Sequence, residues 1–583
     1  MPDQLSAEPD VIVVGMGWAG SVVAAELVAA GLSVVGFERG RYRDAKDAIF
    51  TRAHDELRFG TRKELAQDVG VETWTFRHHM REDALPVRYI GSFRPGEGVG
   101  GSGVPWGGNC WRFVADDFDW VTKMTERYGR DALPADSTSQ DWGIAWDDIE
   151  PHYDRFERLI GVSGKAGNLR GTLQEGGNPF ESPRANEYPV RPFPESTTAR
   201  MYKEAVRELG YSPFPNPIAI LSEPYGSSNG VERRPCTFCG TCGYHPCQVQ
   251  AKATPLNTVL PGAIATGRLE IRPQSRVVRI LHDGGRAYGV QYHDAAGILR
   301  EQRGGIVVVA AYPLASVRLL LLSRLGTPYD PMTGTGLVGK NYTYQPLVGA
   351  TAFFKKRLNT FMASMGLVTT IDDFNSDNFD HSGLGFVGGG LISAGSRGNP
   401  PLGGLAVPSG TPSWGRQWKL AIRDWWDSSI QVMSTLGQLA YRDVYLDLDP
   451  TYRDLYGHPL LRITFDWKEN ERTMAAYMVS QIEQIVQAMG ADAYTLRNGI
   501  AAPYDVSVYQ ATHNNGGAIM GEDPSSSVVN RYLQMWDADN VFVVGASAFP
   551  QNTGHGPAGT TGALALLAAD GILRYAARQE QLV

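Results

Sequence analysis

Near the start of the chain a short apolar run, Asp10-Val-Ile-Val-Val14, feeds directly into Gly15-Met-Gly-Trp-Ala-Gly20 and then into a helical pattern with Val23, Leu27 and Ala30 on one side. Few folds accept that order. A strand that turns at once into a helix needs one glycine for the tight turn, a second to admit a phosphate close to the backbone, and a third for close helix-to-strand packing. Gly15, Gly17 and Gly20 stand at those positions. The helix N-terminus then offers free N–H groups to an anion. Gly31 stops the helix, and Leu32 to Phe37 reads as the next buried strand. At its end Glu38, with Arg39 beside it, is placed to accept ribose hydroxyls and to repel a 2'-phosphorylated nucleotide. The segment predicts the opening of a doubly wound dinucleotide-binding domain. A glycine loop without ligand is the alternative, and FAD is not separated from NAD at this point.

At 583 residues the chain exceeds the size at which one hydrophobic core stops growing, so two packed domains are expected. The parallel sheet should resume at Gly305-Ile-Val-Val-Val-Ala-Ala311, followed by an apolar helix from Val317 to Leu322, and again at Asn540-Val-Phe-Val-Val-Gly545. The cofactor domain would thus be assembled from the beginning, middle and end of the chain. Leu269 to Ile271, Arg276 to Ile280 and Ala287 to Tyr292 read as short strands separated by turn signals such as Asp283-Gly-Gly285, and their local pattern offers them to a substrate domain. Leu460 to Phe465 reads as a strand and Glu471 to Met489 as a helix, with Met474, Tyr477, Met478, Ile482, Ile485 and Met489 forming a core-packing face. Asp372 to Trp426, rich in glycine and tryptophan and weakly periodic, is a candidate lid or partner contact.

Composition sets outer bounds. Apolar residues at 43% and charged residues at 20% are ordinary for a globular chain and argue against disorder throughout. A formal net charge of -8 supplies no basic field for nucleic acid, and no nucleic-acid partner is expected. Met1 to Pro9 contain neither a basic n-region nor an apolar h-region, so no signal peptide is expected. Val541 to Ala569 is long enough to span a bilayer, but Gly545, Pro550, Gly554, His555, Gly556, Pro557 and Gly559 interrupt it and would leave backbone groups unpaired in lipid. It reads instead as a buried, cofactor-contacting segment.

Two further segments carry chemistry. Gly96-Glu-Gly-Val-Gly-Gly-Ser-Gly-Val-Pro-Trp-Gly-Gly108 is dense enough in glycine to press backbone against a large planar cofactor, although a plain loop would also suit it. Four of the five cysteines fall in Cys236-Thr-Phe-Cys239-Gly-Thr-Cys242-Gly-Tyr-His-Pro-Cys247. Four soft thiolates within twelve residues, with Gly240 and Gly243 permitting a tight wrap, favour an iron-sulfur site, with zinc, free thiols or disulfides as alternatives. No C-x-x-C-H haem attachment sequence is present.

Taken in order, Val13-Val-Gly-Met-Gly-Trp-Ala-Gly20, the segment from Gly98 to Arg112, the cysteine segment, Thr512-His-Asn-Asn-Gly-Gly517 and Asn540-Val-Phe-Val-Val-Gly-Ala-Ser-Ala-Phe-Pro-Gln-Asn552 give the chain its resemblance to the glucose-methanol-choline oxidoreductases, and within them to the flavoprotein subunits of bacterial sugar, sugar-acid and polyol dehydrogenases. The resemblance covers essentially the whole chain. It implies an α/β and α+β fold, a Rossmann-like FAD-binding domain with a mixed-sheet substrate-binding domain. It assigns residues of approximately 8–125, 230–345 and 530–583 to the first, including the cysteine insertion 233–250, and 126–229 and 346–529 to the second.

The resemblance further implies FAD held by Gly15, Gly17, Gly20, Glu38, Arg39, Gly101, Ser102, Trp106, Gly107, Val277, Gly545, Ala546, Thr560 and Thr561, the last two near a helix N-terminus or serving as ordinary caps. His513 matches the catalytic histidine, a general base for the substrate hydroxyl, with His555 as proton partner or hydroxyl donor and Asn514 as a substrate-orienting amide. Cys236, Cys239, Cys242 and Cys247 would hold a 3Fe-4S or 4Fe-4S cluster passing electrons to a cytochrome c subunit. A small signal-bearing subunit, periplasmic placement and membrane association through a partner are also implied, a cytoplasmic enzyme being the alternative. An oxygen-using oxidase or a non-catalytic redox scaffold would carry many of the same segments. Two departures stand out. Pro105 replaces a histidine that relatives often place before the tryptophan matching Trp106, so no histidyl-flavin bond is expected, and His555-Gly-Pro557 replaces the common Tyr-Asn-Pro, leaving Gly556 where a second catalytic asparagine stands.

Overall fold

The computed structural model describes residues 8–43, 50, 55–88, 93–395 and 406–582. Five short strands form an all-parallel sheet in the spatial order Leu269–Arg272, Val34–Phe37, Val11–Val14, Ile306–Val309, Val541–Val543. The four strands other than the Leu269–Arg272 edge are buried throughout, which is why they read as near-continuous apolar runs instead of alternating patterns. Helix Trp18–Ala29 packs against the C-terminal helix Ala558–Arg578, which packs in turn on Trp146–Ile160. Ala558–Arg578 is buried on nearly every side, so the apolar stretch that begins it belongs to the core. Among the described residues no helix is long and apolar enough to cross a membrane.

Leu269–Arg272 departs from its local pattern: it pairs in parallel with Val34–Phe37 and forms the edge of the cofactor-type sheet. Four residues are too few for periodicity to reveal a partner more than two hundred positions away. The segments that follow, Arg276–His282, Ala287–His293 and Leu299–Arg303, form a separate antiparallel meander.

The second domain is built on a six-stranded antiparallel sheet in the order Ala493–Asn498, Leu347–Phe353, Ser429–Leu436, Gly390–Gly395, Val368–Ile371, Phe214–Pro215. Helix Glu469–Ala488 lies across it and buries Met474, Met478, Ile482 and Ile485. A four-stranded mixed sheet joins Tyr445–Arg453 and Pro459–Thr464 to Trp74–Arg77 and Leu85–Pro86, the Pro459–Thr464 strand running parallel to Trp74–Arg77. The lid reading of Asp372 to Trp426 does not suit all of that segment. Gly390–Gly395 is a fully buried inner strand, and Gly415–Trp425 is a helix with no fully buried residue. Residues 396–405 of that segment lie outside the described residues.

Candidate active site

The strand ends of the parallel sheet open into a cavity of about 270 Å³ whose wall includes Gly15, Gly17, Glu38, Arg39, Gly101, Ser102, Trp106, Val277, His513, Asn514, Gly545, Ala546 and Thr561. These residues come from widely separated stretches of sequence. Ligands of open parallel sheets bind at this end, where successive loops diverge.

The cavity's construction suits a dinucleotide. Gly15 adopts φ +96°, and a Cβ there would stand 2.7 Å from the Ala311 Cα, so the turn requires glycine. Helices Trp18–Ala29 and Ala558–Arg578 begin at the cavity wall without a side-chain cap on their first N–H groups, which is the arrangement that receives phosphate or a developing negative charge. The Trp18 indole N–H also lacks a partner among the described residues, while its ring meets Trp106 edge-on at 5.3 Å. Glu38 accepts from the N–H groups of Met16 (3.2 Å), Gly40 (2.9 Å) and Gly98 (3.3 Å), tying the first glycine turn to the second glycine segment. Burial pushes its carboxyl pKa up, against the pull of those bonds and of Arg39.

Three expected contacts sit elsewhere. Gly20 does not line the cavity; a Cβ on it would fall 1.9 Å from the Gly15 carbonyl oxygen, so its service is packing the helix against the turn. Thr560 is fully buried and shares a 2.6 Å hydrogen bond with the Tyr153 hydroxyl. Gly107 lies beside the wall rather than in it.

The structure adds residues that the motifs did not single out. Glu72 lines the cavity within a cluster of Arg39, Arg276 and Arg318, the last two closing directly on its carboxylate. Burial alone would raise its pKa, but Arg318, Arg39 and Arg276 together bring it down to about 2. No local pattern announces Glu72, because its partners come from three distant segments. Tyr312 is also in the wall, and its place just past the Ile306–Val309 strand was the available signal.

His513 is half-buried in the cavity wall, and desolvation lowers its pKa to about 4, so it is neutral at pH 7. Its Nδ1 lies 2.5 Å from the Gln345 Oε1. Asn514 is already engaged: its Oδ1 accepts from the Tyr342 hydroxyl (2.5 Å) and its Nδ2 donates to the Tyr312 hydroxyl (2.7 Å).

His555 does not join His513 in the cavity wall. Its ring stacks on Trp111 at 5.4 Å, and its Nε2 lies 3.2 Å from the Asp372 carboxylate, both residues being almost fully buried. Burial disfavours its charge, but the Asp372 carboxylate, with Asp117 and Glu181 beyond, raises its pKa overall. The imidazole is therefore engaged with an internal carboxylate that favours its charged form. It does not occupy the place open at Gly556, where a Cβ would approach His513 Cε1 at 3.5 Å.

Cys236, Cys239, Cys242 and Cys247 line one small cavity with Ile220, Val249 and Lys252. Left-handed backbone at Phe238, Gly240 and Tyr244 wraps the loop tightly. The Lys252 ammonium is buried beneath it and donates to the carbonyl oxygens of Trp106 (2.6 Å), Cys242 (2.7 Å) and His245 (2.8 Å), joining the cysteine loop to the cavity wall. Among the described residues no three His, Cys, Asp or Glu side chains converge closely enough to hold a metal ion. Burial raises the Cys236 thiol pKa and pushes that of Cys242 to about 12.

Comparison with known proteins agrees with this architecture. Residues 227–347 and 441–565 match the family described as GMC oxidoreductase. The gluconate 2-dehydrogenase flavoprotein of Pantoea cypripedii is 40% identical, over 97% of this chain and 93% of that protein. A 2-methyl-1,2-propanediol dehydrogenase of Mycolicibacterium austroafricanum is 28% identical (97% and 95%), and the fructose dehydrogenase large subunit of Gluconobacter japonicus is 26% identical (97% and 97%). Among solved structures, pyridoxine 4-oxidase from Mesorbium loti shares the fold with a TM-score of 0.61 at 17% identity, covering 97% of this chain and 99% of that one. With the glycine turn, the two glycine-lined segments and the desolvated histidine gathered at one cavity, the chain belongs to the GMC oxidoreductases, FAD-dependent enzymes that oxidise CH–OH substrates.

Proposed function

We propose that this enzyme is the flavoprotein of a dehydrogenase that oxidises a hydroxyl of a sugar, a gluconate-like sugar acid or a polyol, and delivers electrons singly through an iron-sulfur cluster to a cytochrome-type acceptor. The observation that carries the reading is the presence of neutral His513 in the wall of the dinucleotide cavity. FAD, when bound, supplies the acceptor for the hydride leaving the carbinol carbon. His513 takes the hydroxyl proton as the C–OH group becomes a carbonyl. Asn514, braced between Tyr342 and Tyr312, shapes the adjoining wall, and the uncapped start of helix Ala558–Arg578 favours negative charge nearby. The substrate class follows the names of the relatives, which act on gluconate, a diol and fructose.

Cys236, Cys239, Cys242 and Cys247 are the proposed ligands: they line one small cavity beside a buried ammonium that would offset thiolate charge, and holding a cluster would require the four thiols to draw closer together than they stand. Such a cluster would supply one-electron transfer. A cytochrome c subunit, a small signal-bearing subunit and a place on the periplasmic side of a membrane complex complete the proposal, with a cytoplasmic enzyme as the other arrangement. The test is anaerobic purification with iron, sulfide and FAD measured together, followed by mixing with aldonates, sugars and polyols. Flavin bleaching by one of these, with iron and sulfide present, is expected. Rapid reoxidation by oxygen in a protein without iron would establish an oxidase, and an intact flavin that no alcohol reduces would establish a non-catalytic role.

A further inference from the structure

Gln345 is completely buried and holds the two segments around the histidine together. Its backbone N–H donates to the His513 carbonyl at 3.2 Å, and its side-chain Nε2 donates to the carbonyl oxygens of Thr553 (2.8 Å) and His555 (3.1 Å). Both of those partners are pure acceptors, so only the NH₂ end of the amide can face them. A flipped amide would set Oε1 against two carbonyl oxygens. The orientation is thereby fixed, and Oε1, an acceptor without a proton, is the atom that meets His513 Nδ1 at 2.5 Å. That nitrogen has to supply the hydrogen.

We propose that Gln345 is a positioning residue that selects the Nδ1–H tautomer of His513 and so leaves Nε2 as the ring's proton acceptor. The proposal rests on the reading of His513 as the base and says how the base is readied. A neutral imidazole has one protonated and one unprotonated nitrogen, and the partner of one decides the state of the other. Without an acceptor at Nδ1, the ring would divide between tautomers, and molecules protonated at Nε2 could not receive the hydroxyl proton there. An amide suits this role because it accepts one hydrogen bond without the negative charge that would draw a second proton onto the ring. The same side chain carries the setting into the Thr553–His555 turn, which leads to the helix lining the cavity.

The test combines nitrogen NMR of the FAD-loaded enzyme labelled in histidine with a single variant. In the unaltered enzyme His513 should show a protonated Nδ1 and an unprotonated Nε2. Gln345→Met should retain FAD, lose that single-tautomer signature and reduce flavin roughly ten- to hundred-fold more slowly, as loss of a supporting contact commonly does. A protonated Nε2 in the unaltered enzyme overturns the proposal, as does a Gln345→Met enzyme with unchanged spectrum and rate. The spectrum of the unaltered enzyme needs no variant to fold. It is also independent of the base reading, which fails separately if His513→Ala reduces flavin at full rate.

Discussion

Asp372→Asn isolates what the second histidine does. Asp372 and His555 are 0% and 1% exposed, and the carboxylate oxygen that faces His555 at 3.2 Å also accepts from Asn178 Nδ2 at 2.9 Å. The amide variant keeps the shape and removes the charge, leaving the buried His555 ring beside Trp111 without its principal counter-ion. Breaking one side of a buried pair costs about 3–5 kcal/mol. The pH dependence gives the sign. His555 is raised above its unfolded value of about 6.5, so its share is fully present below that pH and is lost as the pH rises through the folded value. Burial opposes ionisation of Asp372, but His555 holds its pKa below the ordinary value, so its share is present above about 3.9 and is lost as the pH falls through the folded value. The deficit of Asp372→Asn is therefore expected to be largest near pH 6 and to shrink under alkaline conditions. Urea unfolding of the flavin-loaded enzyme at pH 6 and pH 9, followed by fluorescence, reads this directly. Flavin reduction in the folded variant should fall by less than the ~10²-fold that marks loss of a general base. A pH-independent change below about 1 kcal/mol would show that His555 is neutral and the ion-pair argument mistaken.

His513→Ala should keep FAD and slow anaerobic flavin reduction by about 10²- to 10⁴-fold in stopped flow. In the unaltered enzyme that rate should hold steady down to about pH 5 and fall as the pH drops through about 4, where the ring protonates; a limb near pH 6.5 would contradict its desolvation. Glu38→Gln places an NH₂ among three backbone donors, and FAD dissociation should rise about tenfold, measured by flavin fluorescence. Gly20→Ala drives a methyl into the Gly15 carbonyl and should cost about 1–3 kcal/mol in urea unfolding along with much of the bound FAD. Replacing Cys239 and Cys242 by serine should spare substrate-driven flavin reduction and abolish transfer to the haem acceptor; normal haem reduction in an iron-free variant would defeat the relay.

What the sequence determined by itself was local and sterically strict. Gly15, Gly17 and Gly20 announce a strand-to-helix turn by their spacing, Gly15 and Gly20 standing where neighbours leave no room for a side chain, and the apolar runs at Val11–Val14, Ile306–Val309 and Val541–Val543 announce buried parallel strands. His513 and the cysteine segment were visible through residue type, spacing and family resemblance. The tertiary structure decided what depends on partners far apart in the chain. It joined Leu269–Arg272 to Val34–Phe37, gathered Arg39, Arg276 and Arg318 around Glu72, and bound His555 to Asp372, 183 positions away. It also set Gln345 behind His513, a glutamine that no motif marks. Periodicity and turn chemistry act over a few residues. Charge pairing, amide orientation and burial act across whatever the fold brings together, so the chain names a candidate base while only its surroundings bear on the state of its proton.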